Sequence, residues 1–458
     1  MERQEMVIGR FGDKRLDKGG ACLFARMAED SSAQVRQLAR CRAEEVRFSR
    51  WLANDKVTVT EIMRHCGDRL RHQVVGRHVL AIQDTSEINY QSHADRTKGL
   101  GTVGNGKDAG LFLHPVLVVD ALTGNGLGLA GGQIWLRTTG KAANYQSLPI
   151  EEKESLRWLT GAETAKHVLR EAFHVTMIAD RESDIYEEWA RLPSDQFDLL
   201  TRACRDRCVE GGGTLFAYTD TLPVAACYAL ELPARTGKRP KRTARMELRF
   251  GEVIIRKPKN CSDPLAPPSI TLRVVDVREI SSDQTGEPIH WRLLTTHAVD
   301  SIEDALKIVD WYRQRWHIEQ LFRTLKNQGL DIEASQLESG EALLRLAALA
   351  VQAATHCMLL VLARDGKTAQ PADIVFDDDE IPVLAALQPK LEGKTLKQKN
   401  PHLNASLAWA AWIIARLGGW KGYRSESPPG PITMKIGLTK FFAICEGFRL
   451  AQQVGQDD

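Results

Sequence analysis

Asp310-Trp-Tyr-Arg-Gln-Arg-Trp-His-Ile-Glu-Gln-Leu-Phe-Arg-Thr-Leu-Lys326 is the stretch on which the reading of this chain turns. Upstream, Ser301-Ile-Glu-Asp304 offers a helix N-cap with an acid three positions on. No Gly or Pro follows before Asn327, so the pattern predicts one continuous helix. Tyr312, Glu319 and Lys326 recur every seven residues, and Arg315 falls on the same face, which sets a carboxylate between two cations and a phenol. Leu306, Val309, Trp316, Leu321 and Leu325 are left for packing. An acid among bases on an anchored helix suits metal-dependent phosphodiester chemistry. It equally suits a solvated face with i,i+4 ion pairs.

Two further acids bear on that choice. His78-Val-Leu-Ala-Ile-Gln-Asp84 and His174-Val-Thr-Met-Ile-Ala-Asp180 each read as a short apolar strand ending in an acid. Such a position lies at the rim of a sheet, where open α/β folds place ligands. Either acid alone is also a common loop cap. Together with Glu319 they make three hard oxygen donors, which suit Mg²⁺ or Mn²⁺ better than zinc.

The chain has 458 residues, 43% hydrophobic and 26% charged, with a formal net charge of +2. Global charge therefore argues neither for nor against nucleic acid. The run from Arg235 to Arg245 carries six cations and no acid, and reads either as a phosphate-contacting patch or as a charged loop. Nine scattered cysteines and a charged N-terminus without a secretory signal predict a reducing, cytoplasmic setting. Cys204 and Cys208 have no second pair at zinc-site spacing and read as free thiols. The apolar stretch Leu343 to Ala363 contains Arg345 and His356, so it predicts a buried helix and not a membrane span.

Along the chain, residues 1–70 read as an Arg-rich helical domain with Arg36, Arg40, Arg42, Arg47, Arg50 and Arg64. Residues 71–335 read as an α/β core: strands to Asp84, Leu111–Asp120 and Leu127–Arg137, a helix across Glu152–Phe173, then the Asp180 strand. That order matches an RNase H-like mixed sheet. Alternating, Gly- and Pro-broken residues at about 205–295 predict a β-rich insertion, and residues 336–458 predict a helical C-terminal domain.

The pattern Tyr312-x₂-Arg315-x₃-Glu319-x₆-Lys326 resembles the signature of the insertion-sequence-four group of DDE transposases. The likeness extends over nearly the whole chain. It takes in Phe11-Gly-Asp-Lys-Arg-Leu16, Asp84-Thr85, Gly110 to His114, Gly126 to Arg137, Glu152-Lys-Glu-Ser155, Asp180-Arg-Glu-Ser-Asp184, Pro288-Ile-His-Trp291 and Ala415-Arg-Leu-Gly-Gly-Trp420. The resemblance implies a bacterial cut-and-paste transposase acting on inverted-repeat ends and target DNA, as a homodimer joined through the C-terminal domain, with residues 1–70 binding DNA. It implies that Asp84, Asp180 and Glu319 hold two Mg²⁺ ions, with Mn²⁺ able to substitute. It implies that Trp291 stacks on a flipped base, that Arg202 contacts DNA backbone, and that Tyr312, Arg315 and Lys326 position phosphates.

Two rival readings carry tests. Gly101-Thr-Val-Gly-Asn-Gly-Lys107 fits a P-loop, but Asp108 replaces the Mg²⁺-binding hydroxyl residue and the loop leads into a strand. A non-catalytic DNA-binding regulator would bind element ends without cutting them.

Overall fold

The computed structural model describes residues 7–104, 106–137, 148–232, 241–280, 288–367, 369–423 and 426–454. Helices α1 (Lys14–Asp30), α2 (Val35–Leu38), α3 (Arg42–Leu52) and α4 (Val59–Leu70) come first. Strands β1 (His78–Gln83), β2 (Ser86–Asn89), β3 (Gly101–Val103), β4 (Asp108–Asp120) and β5 (Gly126–Trp135) follow, then α5 (Leu156–Val168), β6 (His174–Ala179), α6 (Tyr186–Arg191) and β7 (Phe197–Arg202). Next come α7 (Leu215–Thr221), β8 (Ala226–Leu232), β9 (Arg242–Arg256), β10 (Ser269–Glu279) and β11 (His290–Thr295). The chain then continues through α8 (Ile302–Arg313), α9 (Trp316–Leu325), α10 (Gly340–Ala363), α11 (Ile381–Leu391), α12 (Leu407–Leu417) and α13 (Pro431–Val454). The fold class is mixed α/β. Two compact units interleave along the chain: Met1–Val74, Thr85–Gly140 and His317–Asp458 form one, and Val75–Asp84 with Lys141–Trp316 form the other.

In the unit built from Val75–Asp84 and Lys141–Trp316, the strands run β1-β6-β7-β11-β10-β9-β8. β1, β6 and β7 are parallel, and each later pairing is antiparallel. Parallel strands are covered on both faces, which is why His78–Gln83 and His174–Ala179 read as apolar runs without alternation. Trp158 and Leu159 of α5 pack with Ala179 and Ile185, backing the end of β6. Between α7 and α8 the described chain is β-rich: the long β9–β10 hairpin alternates buried and exposed residues, and β11 stitches it to β7.

The other unit has β4 at its centre, antiparallel to β2, β3 and β5. Gly110 pairs with both Asn89 and Gly101; a Cβ there would lie 2.3 Å from the Ile88 carbonyl oxygen, so the crowding requires glycine. α10 is long and apolar enough to cross a membrane, yet 89% of its apolar window is buried within the protein. Its Arg345 donates to the Val57 and Leu52 carbonyls at 2.7 and 3.0 Å, and Gln352 donates to Ile62 at 3.3 Å, which ties the N-terminal helices to the C-terminal ones. Phe376, Trp409, Trp412 and Phe441 anchor a core among the last helices.

Three sequence expectations are corrected. The single helix through Asp310–Lys326 is broken: α8 ends at Arg313, and Gln314 and Arg315 donate to the carbonyls three residues back (3.0 and 3.1 Å). This tight turn needs no Gly or Pro, because Tyr312 and Arg315 are held by tertiary contacts. Trp316, expected in the packing set, is 38% exposed. The helix expected across Glu152–Phe173 spans only Leu156–Val168. Elsewhere the Gly101–Lys107 segment runs from β3 to β4, both strands, so no helix N-terminus is there to cradle a phosphate. Most of the basic run lies outside the described residues; of its described part, Arg242 is paired with Glu279.

Candidate active site at the carboxyl ends of two parallel strands

Asp84 and Asp180 each follow the last residue of a strand. Ile82 pairs with Ile178, so the two acids, each two residues farther on, stand level at the same ends of neighbouring strands. Period-two alternation places both on the sheet face that carries Ile82 and Ile178. The arrangement is local in cause: apolar β-branched residues hold the strands in the interior, and the chain turns where the first acid occurs.

The acids differ in their surroundings. Asp84 accepts from the Arg315 guanidinium at 3.0 Å, and both side chains retain a little exposure. Asp180 caps the short turn Arg181–Ser183, accepting from the Glu182 amide at 2.8 Å. Asp184, four residues on, is fully enclosed. It takes Arg207 at 2.6 Å and the amides of Cys204 and Arg205 at 2.8 and 2.9 Å. A carboxylate so completely engaged is a brace for the loop after β7, whereas Asp84 and Asp180 occupy the rim.

Tyr312 is 5% exposed, and burial pushes its phenol up from the ordinary value, with Arg315, Arg202 and Asp180 as the charges that act on it. Its ring meets Trp291 edge-on at 5.6 Å. Trp291 is half-buried, and Arg202 donates to the His290 carbonyl at 3.0 Å. Among the sequence-nominated residues, Asp84, Asp180, Arg202, Trp291, Tyr312 and Arg315 thus belong to one unit. Glu319 lies in the first turn of α9, and Lys326 follows that helix with Glu333 at 3.5 Å; both belong to the other unit. There Thr85, next to the first acid, bonds His114 Nδ1 at 2.8 Å. Burial holds Glu188, on the helix after the second acid, up at about 8, and Ser183 donates to it at 2.5 Å.

Two other gatherings of ligating side chains escaped the sequence reading. His78, His174 and His297 converge from three strands or strand ends, a grouping that only register reveals. Asp377, Asp379 and Glu380 also gather, but Arg449 already pairs with Asp379 at 2.9 Å and Glu380 at 3.0 Å, and burial holds Glu380 up at about 7.

A solved piggyBac transposase synaptic complex with hairpin DNA is similar at 11% identity, over 96% of this chain and 79% of that one, with a TM-score of 0.38. Residues 162–356, a span that holds Asp180, Arg202, Trp291, Tyr312, Arg315, Glu319 and Lys326, match the family model described as a transposase DDE domain.

Proposed function

We propose that this chain is a DNA transposase of the insertion-sequence-four group, cutting element ends and joining them to target DNA by phosphoryl transfer. The carrying observation is the level placement of Asp84 and Asp180 at adjacent strand ends, with Asp180 inside the span that matches the transposase DDE domain. The sequence pattern nominates Glu319 as the third carboxylate. The parallel β1-β6-β7 strands support an RNase H-like core within residues 71–335, flanked by helical residues 1–70 and 336–458.

The donor set is all carboxylate oxygen, the chemistry that Mg²⁺ or Mn²⁺ selects, and the Asp84–Arg315 pair shows that this rim accommodates positive charge. A pair of such ions, when bound, supplies Lewis-acid stabilisation of the attacking and leaving oxygens. The chain's own residues do the positioning. Arg315 is suited to a bidentate phosphate contact, and Lys326 acts as a mobile point charge. Trp291, half-buried against Tyr312, is suited to receive an unstacked base during a hairpin step. Arg202 lies beside it for backbone contact. A homodimer on paired DNA ends follows from the same reading.

The test is cleavage of end DNA, taken from the inverted repeats beside the gene, by the purified chain with Mg²⁺. Cutting that Asp180→Asn abolishes while binding persists supports the reading. End binding by the wild-type chain without any cutting would favour a regulator instead.

A further inference from the structure

We propose that His78, His174 and His297 form a zinc site at the amino ends of β1 and β6, with a water as the fourth ligand and Asp198 orienting two of the three imidazoles. Nothing in this site is needed for the transposase reading, and it lies at the other end of the same strands. Six residues separate His78 from Asp84 and His174 from Asp180, roughly 20 Å of strand.

Register brings the four residues together. His78 pairs directly with His174. Thr176 pairs with Asp198 on β7. Thr295 pairs with Leu200, so His297, two residues farther along antiparallel β11, comes level with Asp198. Paired residues share a face, and all five side chains therefore point the same way. Trp311 of α8 closes over them, its ring 4.8 Å from His78 and 5.1 Å from His297.

The donor chemistry fits zinc. One ligating atom from each histidine lies within 4.8 Å of the others. Zinc bonds imidazole nitrogen at about 2.0–2.1 Å, so the three nitrogens draw closer together when the ion binds. Asp198 Oδ2 meets His174 Nε2 at 2.8 Å and His297 Nδ1 at 3.1 Å. A carboxylate on the outer nitrogen is the usual support for a metal-bound histidine, and here it leaves Nδ1 of His174 and Nε2 of His297 to carry lone pairs. His78 Nε2 and His297 Nε2 both lie at hydrogen-bond distance from the Thr176 hydroxyl, 2.8 and 2.7 Å, so these two nitrogens already face one shared polar group that an ion would displace or join. Lys307, the nearby ammonium, sits over the Trp311 ring at 5.0 Å.

The chelator-stripped full chain, equilibrated with buffered Zn²⁺ at neutral pH, should take up one ion per chain and gain several degrees in Tm. His78→Gln and His297→Gln should lose that ion, and Asp180→Asn should keep it. The Co²⁺-loaded wild-type chain should show the intense visible bands of a tetrahedral site, a readout that needs no variant to fold. Strongly substoichiometric zinc, undiminished zinc in both histidine variants, or the pale spectrum of octahedral Co²⁺ would each overturn the site.

Discussion

The two ends of β1 and β6 carry different chemistry on one scaffold. Their carboxyl ends present Asp84 and Asp180, oxygen donors at a rim where Arg315 pairs with Asp84. Their amino ends present His78 and His174, nitrogen donors enclosed by Asp198, His297 and Trp311. The strand bodies between them are apolar and buried. A rigid parallel pair can therefore keep an all-oxygen donor set and an imidazole set apart on one scaffold.

The comparison breaks most visibly if the acid end proves structural. Asp84→Asn or Asp180→Asn should lower end cleavage by about three orders of magnitude or more while leaving Tm nearly unchanged. A Tm collapse in either variant would recast the rim acids as braces. The brace at this end is expected to be Asp184 instead. Arg207→Ala leaves that enclosed carboxylate without its cation and should cost roughly 3–5 kcal/mol in urea unfolding. Trp291→Ala should slow hairpin formation more than the first nick, by about 1–3 kcal/mol if a base stacks there. An equal slowing of both steps with a large Tm drop would make it a packing residue. Arg315→Ala and Lys326→Ala should each shallow the salt dependence of end binding by about one unit of slope, read by band shift. Unchanged slopes would confine these charges to the fold.

The smallest effect concerns Glu188, whose folded-state value of about 8 lies above the ordinary 4.5. The folded chain then holds a proton that the unfolded chain has released. Stability is full below about 4.5 and declines as pH rises through 8. Glu188→Gln should flatten that decline, raising Tm at pH 8 relative to pH 5 by a few degrees. An unaltered pH profile would show that Glu188 does not titrate in this window.

Much of this is legible in the amino-acid sequence. An apolar run stopping at an acid identifies a buried strand and its rim residue without further context, which is why Asp84 and Asp180 stand where the sequence put them. Alternation likewise announced the β9–β10 hairpin. The break at Gln314–Arg315 was illegible because no helix-breaking residue marks it; the causes lie in Asp84 and Trp291, distant in sequence. The histidine cluster was illegible for a related reason. His78, His174 and His297 are far apart along the chain, and only the pairing of β1, β6, β7 and β11 makes them neighbours.

Arg345 and Gln352 on α10 have a consequence for biosynthesis. They satisfy the carbonyls of Leu52, Val57 and Ile62, partners 288 to 293 residues earlier in the chain. At about 5–20 residues per second, the ribosome takes roughly 15–60 s to supply that helix after the first partners have emerged. During that interval the parts of α3 and α4 that α10 covers stay open to solvent. Fragments that stop short of α10 should therefore be more prone to aggregate than the full chain.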